Sequence, residues 1–153
     1  MKRFYLITML LCLCAIGAQA QTQDRPFTNG PVWRITYYKI KPGKSMEYIK
    51  FLREHTKPIL DEQKRQGLFL DYKYFSQPSK NGPDDWDIAY AVSFKSFAEA
   101  LDFDEEKSKK VGDVSLKHYG SAEARTKANE QRDQMRDVLS SHLIREEIAN
   151  PIK

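Results

Sequence analysis

One stretch, from Val32 to Gly67, constrains the fold of this chain more than any other part of its sequence. It begins with the aromatic and β-branched run VWRITYYKI, which is typical of a β-strand. Pro42-Gly43 then predicts a tight corner, and residues 46–66 carry apolar side chains at helical spacing. Gly67 is suited to end that helix. A strand, a corner and an amphipathic helix in this order form the first half of a βαβ unit.

The two faces of the first strand differ in polarity. Alternation along the strand gives one face mostly aromatic and aliphatic side chains, those of Trp33, Ile35 and Tyr37. It gives the other face a more polar set, Arg34, Thr36 and Tyr38. Because helices cover the apolar side of a sheet, we expect the first set to face them.

Pro58 interrupts the helix that follows this strand. Ser45 is suited to cap its N-terminus, and an apolar stripe runs from Tyr48 to Leu60. Proline has no backbone N–H to donate to the carbonyl of Glu54. We therefore expect a kink at Pro58 or a restart of the helix there.

The downstream segments complete one sheet against that helix. They are a strand at Leu68–Phe75, a long turn at Gln77–Asp85, a strand at Trp86–Phe94, a helix from a capping box at Ser96 to about Lys110, a charged helix at Ser121–Ser140 and a short strand at His142–Ile148. The fold class predicted from this order is α+β, of the ferredoxin-like, split βαβ type. We expect an antiparallel four-stranded sheet with helices on one face and one extra C-terminal helix.

The first twenty residues are typical of a signal peptide. Lys2 and Arg3 precede an apolar run, and Ala18-Gln19-Ala20 forms a cleavage signal. A retained membrane anchor and a lipoprotein attached through Cys12 or Cys14 are the alternatives. The apolar run is short for the first and lacks a lipobox for the second. We expect a signal peptide at 1–20, a disordered lead-in at 21–31 and a single domain at 32–149, in a secreted or periplasmic protein.

Cleavage after Ala20 changes both the cysteine content and the charge. It removes both cysteines, so the mature chain has neither a disulfide nor a thiolate ligand. It leaves 23 basic against 21 acidic residues, a net charge of +2 instead of +4. So small a charge with interspersed signs argues against a nucleic-acid partner. We also expect no membrane association after cleavage.

Known motifs for metals and cofactors do not occur in this sequence. The three histidines are His55, His118 and His142, and none has a partner at metal-ligand spacing. The acidic groups at 84–87 and 102–106 do not match a calcium-binding loop, so a solvated surface is their simpler interpretation. Phosphate-binding, dinucleotide-binding and nucleophile-elbow patterns are absent as well. We therefore expect no metal and no cofactor.

An aromatic pocket on the helix side of the sheet is the candidate site. Its expected ligand-binding residues are Trp33, Tyr37, Tyr72, Tyr90 and His55. Buried phenols need hydrogen-bond partners, so these tyrosines either reach solvent at the rim of the sheet or line a wet pocket. His55 lies on the apolar stripe, where it is either a packed side chain or a general base. His55 and Tyr72 are accordingly the candidate catalytic residues.

The chain also resembles a known superfamily. The likeness rests on the run from Trp33 through Pro42-Gly43-Lys44, on Lys57-Pro58-Ile59, on Gly67 and on Tyr90 to Phe97, within Val32–Leu101. In these features it is similar to the dimeric α+β-barrel superfamily, which includes NIPSNAP-like, stress-responsive A/B-barrel and antibiotic-biosynthesis-type monooxygenase proteins. The resemblance implies that two sheets pair across a dimer axis. Activities in that group range from cofactor-free oxygenation and haem degradation to no known catalysis.

Two classes of function follow from these observations. The first is an exported homodimeric module that binds a small apolar or aromatic ligand. The alternative is a cofactor-independent enzyme, monooxygenase-like or cyclase-like, that uses His55 and a tyrosine for proton transfer; whether the chain is an enzyme stays open. We expect the homodimer to form through the polar sheet face, with Arg34, Thr36, Tyr38 and Asp71 at the interface.

Overall fold

The computed structural model of the chain describes residues 26–80 and 82–151. The expected signal peptide at 1–20 and most of the expected lead-in lie outside this part. Phe27–Pro31, however, were assigned to the lead-in and belong to the first strand, which begins at Phe27. Among the described residues, no helix is long and apolar enough to cross a membrane.

The secondary structure alternates in the order expected for a ferredoxin-like fold. The strands are β1 (Phe27–Ile40), β2 (Asp71–Ser76), β3 (Ile88–Phe94) and β4 (Arg136–Ala149). The helices are α1 (Ser45–Phe51), α2 (Lys57–Arg65), α3 (Phe97–Leu101), α4 (Glu105–Tyr119) and α5 (Ala122–Met135), and a π-helical turn (Leu52–Thr56) joins α1 to α2.

The four strands form one antiparallel sheet in the order β2-β3-β1-β4. The central strand β3 pairs with both neighbours, so that Ala91 lies opposite Ile35 on one side and Lys73 on the other. Contacts between β1 and β4 join Trp33 to Glu146 and Thr36 to Ser141. Residue numbers fall in β4 as they rise in β1, so this pair is antiparallel too.

The contacts divide the chain into two compact units. One is Asn29–Ile148, which contains all five helices. The other includes the described residues 26–28 and 149–151, where the backbone N–H of Asn150 donates to the carbonyl of Pro26 at 2.8 Å.

Two groups of buried side chains hold the helices on one face of the sheet. The first consists of Val32, Leu60, Leu68, Phe69, Val92, Phe94 and Ala100. The second consists of Tyr48, Phe51, Ile88 and Met135. Removing this much apolar surface from water is the main force that keeps the two layers together.

The prediction of which face of β1 meets the helices is wrong. Val32 and Tyr38 are buried on the helix side, and alternation places Arg34 and Thr36 there with them. Trp33, Ile35 and Tyr37 point to the opposite face. The reason is that a long polar side chain can pack its apolar part against neighbours while its polar end still finds a partner. The guanidinium of Arg34 donates to the carbonyl of Ala100, and that of Arg136 lies 3.7 Å from the centre of the Tyr38 ring.

The π-helical turn lies immediately before Pro58, where a disturbance was expected. The backbone N–H of Lys57 donates to the carbonyl of Leu52, five residues back instead of four. Phe51 and Leu60 are nine residues apart, which in a straight α-helix would put them about 180° apart around the axis. The wider turn contains one extra residue and reduces that angle. Both side chains are consequently buried against the sheet, each about 5 % exposed.

The second half of the helical layer differs from the prediction. The helix predicted from Ser96 to Lys110 is split into α3 and α4, and α4 continues through Gly112 to Tyr119. Asp104 caps α4 by accepting from the N–H of Lys107. The charged helix ends at Met135, five residues earlier than predicted, and β4 is correspondingly longer.

Candidate ligand-binding site

The face of the sheet opposite the helices carries an apolar patch, which we call the open face. Register and alternation place on it the side chains of Trp33, Ile35, Tyr37, Asp71, Lys73, Phe75, Ala89, Ala91, Ser93, His142, Ile144 and Glu146. No helix covers this face in the described part of the chain. Phe75 and Ile144 are 45 % and 47 % exposed, which is high for large apolar side chains.

A groove of about 310 Å³ crosses the open face. Its lining is formed by Trp33, Ile35, Lys73, Phe75, Ala91, Ile144 and Glu146. Small side chains form the centre, because Ala91 and its neighbours Ala89 and Ser93 are almost fully buried beneath larger ones. Its volume lies at the lower end of the range for small-molecule sites.

Two charged side chains fix the indole ring of Trp33 in this groove. The Nζ atom of Lys73 lies 4.7 Å from the centre of the ring, a cation–π contact. On the other side, the indole Nε1–H donates to the carboxylate of Glu146 at 2.9 Å. Trp33 is thus held by β2 and β4 together, and its ring is available as a wall of the groove.

Tyr37 extends the aromatic surface along β1. Its ring contacts that of Trp86 at 5.3 Å and that of His142 at 5.9 Å, both edge to face. Trp33 and Tyr37 therefore lie on one face, as expected, but it is the face away from the helices.

Tyr72 and Tyr90 lie on the helix side, with Tyr74 between them. The ring centres of Tyr72 and Tyr74 are 6.0 Å apart and those of Tyr74 and Tyr90 are 5.5 Å apart. The hydroxyl of Tyr72 donates to Asp61 at 2.5 Å, at the rim of the sheet. Burial, helped for Tyr72 by this hydrogen bond, raises the pKa of Tyr72 and of Tyr90 well above the ordinary value, so both hydroxyls stay protonated at neutral pH.

His55 lies away from all of these tyrosines, among aromatic rings of the helical layer. Its Nδ1 atom is 3.2 Å from Nε2 of His118, and its ring stacks on that of Tyr119 at 5.4 Å. Burial, together with the charge of His55, lowers the pKa of His118 below 6.5. The half-exposed His55 is a packed aromatic side chain in this arrangement.

The five expected site residues therefore do not form one pocket. Trp33 and Tyr37 lie on the open face, Tyr72 and Tyr90 on the helix face, and His55 beside α4. The enzyme hypothesis needs a base close to a substrate-facing phenol. His55 contacts His118, Phe51 and Tyr119 instead, so the enzyme hypothesis stays a prediction.

Several groove residues were missed in the sequence. Phe75, Ala91 and Ile144 form its walls, and Lys73 and Glu146 orient Trp33. The small residues of β3, which alternate with large ones, were the available signal. Their position opposite Ile35 would have indicated which face of β1 is open.

The described residues contain no group of three or more histidine, cysteine, aspartate or glutamate side chains that could hold a metal ion. The expectation of no metal and no cofactor stays a prediction.

Comparisons with known proteins identify no family for this chain. No family model matches it, and no curated protein matches it. Among solved structures, it is similar to a dimeric protein of unknown function and ferredoxin-like fold from Bacteroides fragilis, with 14 % identity and a TM-score of 0.41 over 80 % of this chain and 99 % of the other. It is also similar to a dimeric ferredoxin-like protein from an uncultured marine organism, with 11 % identity and a TM-score of 0.41 over 81 % of this chain and 93 % of the other. Likeness at this level carries no argument about function.

Proposed function

We propose that the protein is a homodimeric binding protein for a small apolar or aromatic molecule. The open faces of two copies pack against each other and close the groove around Trp33 and Ile35 into a shared cavity. The single observation behind this proposal is the orientation of β1. Its more apolar side points away from the helices and is left uncovered by the rest of the described chain.

The charges on the open face suit contact with a second copy. A two-fold interface brings a surface against itself, so charges of one sign alone would repel. The groove contains one cation, Lys73, and one carboxylate, Glu146, both placed beside Trp33. In a two-fold arrangement each can approach its opposite on the other copy. The groove above the small side chain of Ala91 leaves room for a larger side chain of the partner.

The lining of the groove favours an apolar or aromatic ligand. Trp33, Ile35, Phe75 and Ile144 supply most of the wall. The lining has one positive and one negative side chain, Lys73 and Glu146, so its net charge favours neither an anion nor a cation. Binding pockets for small molecules are mostly apolar with few polar groups, which fits this lining.

Light scattering on purified protein at tens of micromolar tests the dimer. We expect wild type to have the mass of two chains and Ile35→Lys to have the mass of one, because a lysine at the centre of the interface would be buried without a partner. Met46→Lys is the matched control, since Met46 is 78 % exposed on α1, in the helical layer. A monomeric wild type, or a dimeric Ile35→Lys protein, would overturn the proposal; circular dichroism checks that each variant is folded.

The indole N–H signals in a nitrogen NMR spectrum test the ligand site. The chain has only two tryptophans, so Trp86→Phe assigns the signal of Trp33. With neutral 2-naphthol as the probe, we expect a saturable shift of that signal in wild type and in Met46→Lys. The shift should be lost in Ile35→Lys. Absence of a shift in wild type, or an equal shift in Ile35→Lys, would contradict a groove completed by the partner.

An exported location is part of the same proposal and rests on the signal-like residues 1–20. Intact-mass measurement of protein recovered from the periplasm or the medium should give a chain that starts at Gln21. A mature species that retains Met1, or one carrying a lipid on Cys12 or Cys14, would contradict it.

A further inference from the structure

A second concavity lies beside the π-helical turn, on the helix side of the edge strand β2. It has a volume of about 360 Å³. Its lining consists of Ile49, Leu52, Arg53, Lys57, Tyr74, Phe75, Ser76 and Ile88. Only Phe75 is shared with the groove of the open face. We call this concavity the π-turn pocket.

The π-helical turn is what places one wall of this pocket. Leu52 and Arg53 belong to the widened turn, and Lys57 begins the α-helix that follows it. Such single wide turns inside α-helices are frequent at functional sites. Here the turn brings an aliphatic side chain and two cationic ones to the same concavity.

The charge of the lining is one-sided. Arg53 and Lys57 contribute two positive charges, and no carboxylate is among the lining residues. Their acidic partners, Glu54 and Asp61, lie outside the pocket at 3.8 Å and 2.6 Å. Arg53 is 74 % exposed and is held by the longer of these contacts, so its guanidinium can turn towards a ligand at little cost.

The remaining walls are apolar. Aliphatic and aromatic side chains form them, those of Ile49, Leu52, Tyr74, Phe75 and Ile88. Ile49 is 49 % exposed, so the pocket opens to solvent past an aliphatic side chain. An apolar interior with cations on one side matches a molecule that has an apolar body and an anionic head.

We propose that the π-turn pocket binds a small amphipathic anion, an aliphatic or aromatic carboxylate or sulfonate. Its apolar body lies against Ile49, Leu52 and Ile88, and its anionic head lies between Arg53 and Lys57. This site is separate from the groove of the proposed dimer. It is present in each copy and needs no residue from a partner.

A pair of fluorescent probes that differ in charge tests the proposal. 1-Anilinonaphthalene-8-sulfonate carries the anionic head, and N-phenyl-1-naphthylamine is its neutral counterpart. Titrations are made in wild type and in Ile35→Glu, where a carboxylate on the open face repels a sulfonate bound there. We expect Arg53→Ala/Lys57→Ala to raise the Kd of the sulfonate about two- to tenfold, as expected for two solvent-exposed charge contacts, and to change that of the neutral probe less than about twofold.

Two further variants serve as controls. Lys109→Ala/Lys110→Ala removes the same charge from α4, away from the lining, and should leave both Kd values unchanged. Ile49→Glu places a carboxylate in the wall and should weaken the sulfonate, whereas Ile49→Lys should not. These residues are exposed or half-exposed, so we expect all the variants to fold.

The results separate this site from the groove. If Arg53→Ala/Lys57→Ala weakens neither probe, or both equally, the anion site is overturned. If Ile35→Glu abolishes sulfonate binding and Arg53→Ala/Lys57→Ala has no effect, the probe lies on the open face, which overturns this proposal but not the dimer. Binding that persists in Ile35→Glu and depends on Arg53 and Lys57 supports the π-turn pocket whatever the oligomeric state.

Discussion

The imidazole rings of His55 and His118 meet with 3.2 Å between Nδ1 and Nε2, and the contact joins the π-helical turn to the end of α4. One ring donates and the other accepts in this pair, so at least one of them is neutral. The stacked ring of Tyr119 and the ring of Phe51, 4.8 Å from that of His55, complete an aromatic contact between the two helical segments.

Removing His55 should raise the pKa of His118. Burial and the charge of His55 both lower that pKa from 6.5, and His55→Asn takes away the second cause only. We expect a rise that stops short of 6.5 in an NMR titration. His142→Asn, on the open face, is the control and should have no effect. An unchanged His118 in His55→Asn would mean that the two rings do not interact in solution.

The same pair makes stability fall in mild acid. The folded state holds the pKa of His118 below that of the unfolded chain, so the unfolded state binds its proton first. The contribution of His118 is therefore complete above about pH 6.5 and is lost as the pH falls through the folded value. Urea unfolding at pH 7 and pH 5 should show a smaller loss in His118→Gln than in wild type. Equal losses would contradict this.

Tyr74→Phe should be neutral or stabilising, by up to about 1–2 kcal/mol. The hydroxyl of Tyr74 is buried and has no hydrogen-bond partner among the described residues, so its removal also removes a desolvation penalty. Tyr72→Phe is the matched variant and should destabilise by about 0.5 kcal/mol, since it loses the exposed hydrogen bond to Asp61. Urea unfolding measures both. A marked loss of stability in Tyr74→Phe would indicate that its hydroxyl is bonded in solution.

Alkaline pH should destabilise the protein partly through Tyr48. Burial, opposed in part by the charge of Arg136, raises the pKa of Tyr48 from 10.0 to about 12. Between these values the unfolded chain ionises and the folded protein does not, so this contribution is complete below pH 10 and is lost as the pH rises towards 12. At pH 11 the loss is about 1 kcal/mol, and it should be missing in Tyr48→Phe. An equal loss of stability between pH 10 and pH 12 in wild type and in Tyr48→Phe would contradict the assignment of this contribution to Tyr48.

Two glycines should respond to alanine in opposite directions. Gly67 ends α2 with φ of +71°, a conformation that is strained for alanine, so Gly67→Ala should destabilise by about 1 kcal/mol. Gly112 lies inside α4 with open space at its Cβ position, so Gly112→Ala should stabilise by about 0.5–1 kcal/mol. Thermal unfolding of both variants measures the two signs. A change of stability in the same direction in both variants would be inconsistent with these backbone conformations.

Local signals predicted much of the fold. Gly67 has the left-handed conformation of a helix end, and Ser96 accepts from the N–H of Glu99 as its capping box indicated. Both depend on residues close together in the chain. The continuation of α4 through Gly112 could not be predicted in this way, because ion pairs such as Lys109–Asp113 and burial of Val114 outweigh one unfavourable glycine.

The candidate site was harder to predict because it depends on which face of β1 is inside. Judged by polarity alone, Arg34 and Tyr38 are expected to point away from the helices. In the fold Arg34 caps α3 through the carbonyl of Ala100, and the ring of Tyr38 packs under Arg136. Both partners are more than 60 residues away in sequence. A pattern within β1 contains no information about them.

The extra residue in the turn Leu52–Thr56 has a consequence for how this helix tolerates change. With every residue kept, the segment could also form an uninterrupted α-helix, which by itself would be the more regular structure. That helix would rotate Leu60 and Gln63, both buried, towards solvent relative to Phe51. The turn is thus a point of local frustration, at which the preference of the segment and the demand of the whole fold disagree. Deletion of one residue from this turn should remove that conflict, because Phe51 and Leu60 would then be eight residues apart and a regular α-helix would keep them within about 80° of each other.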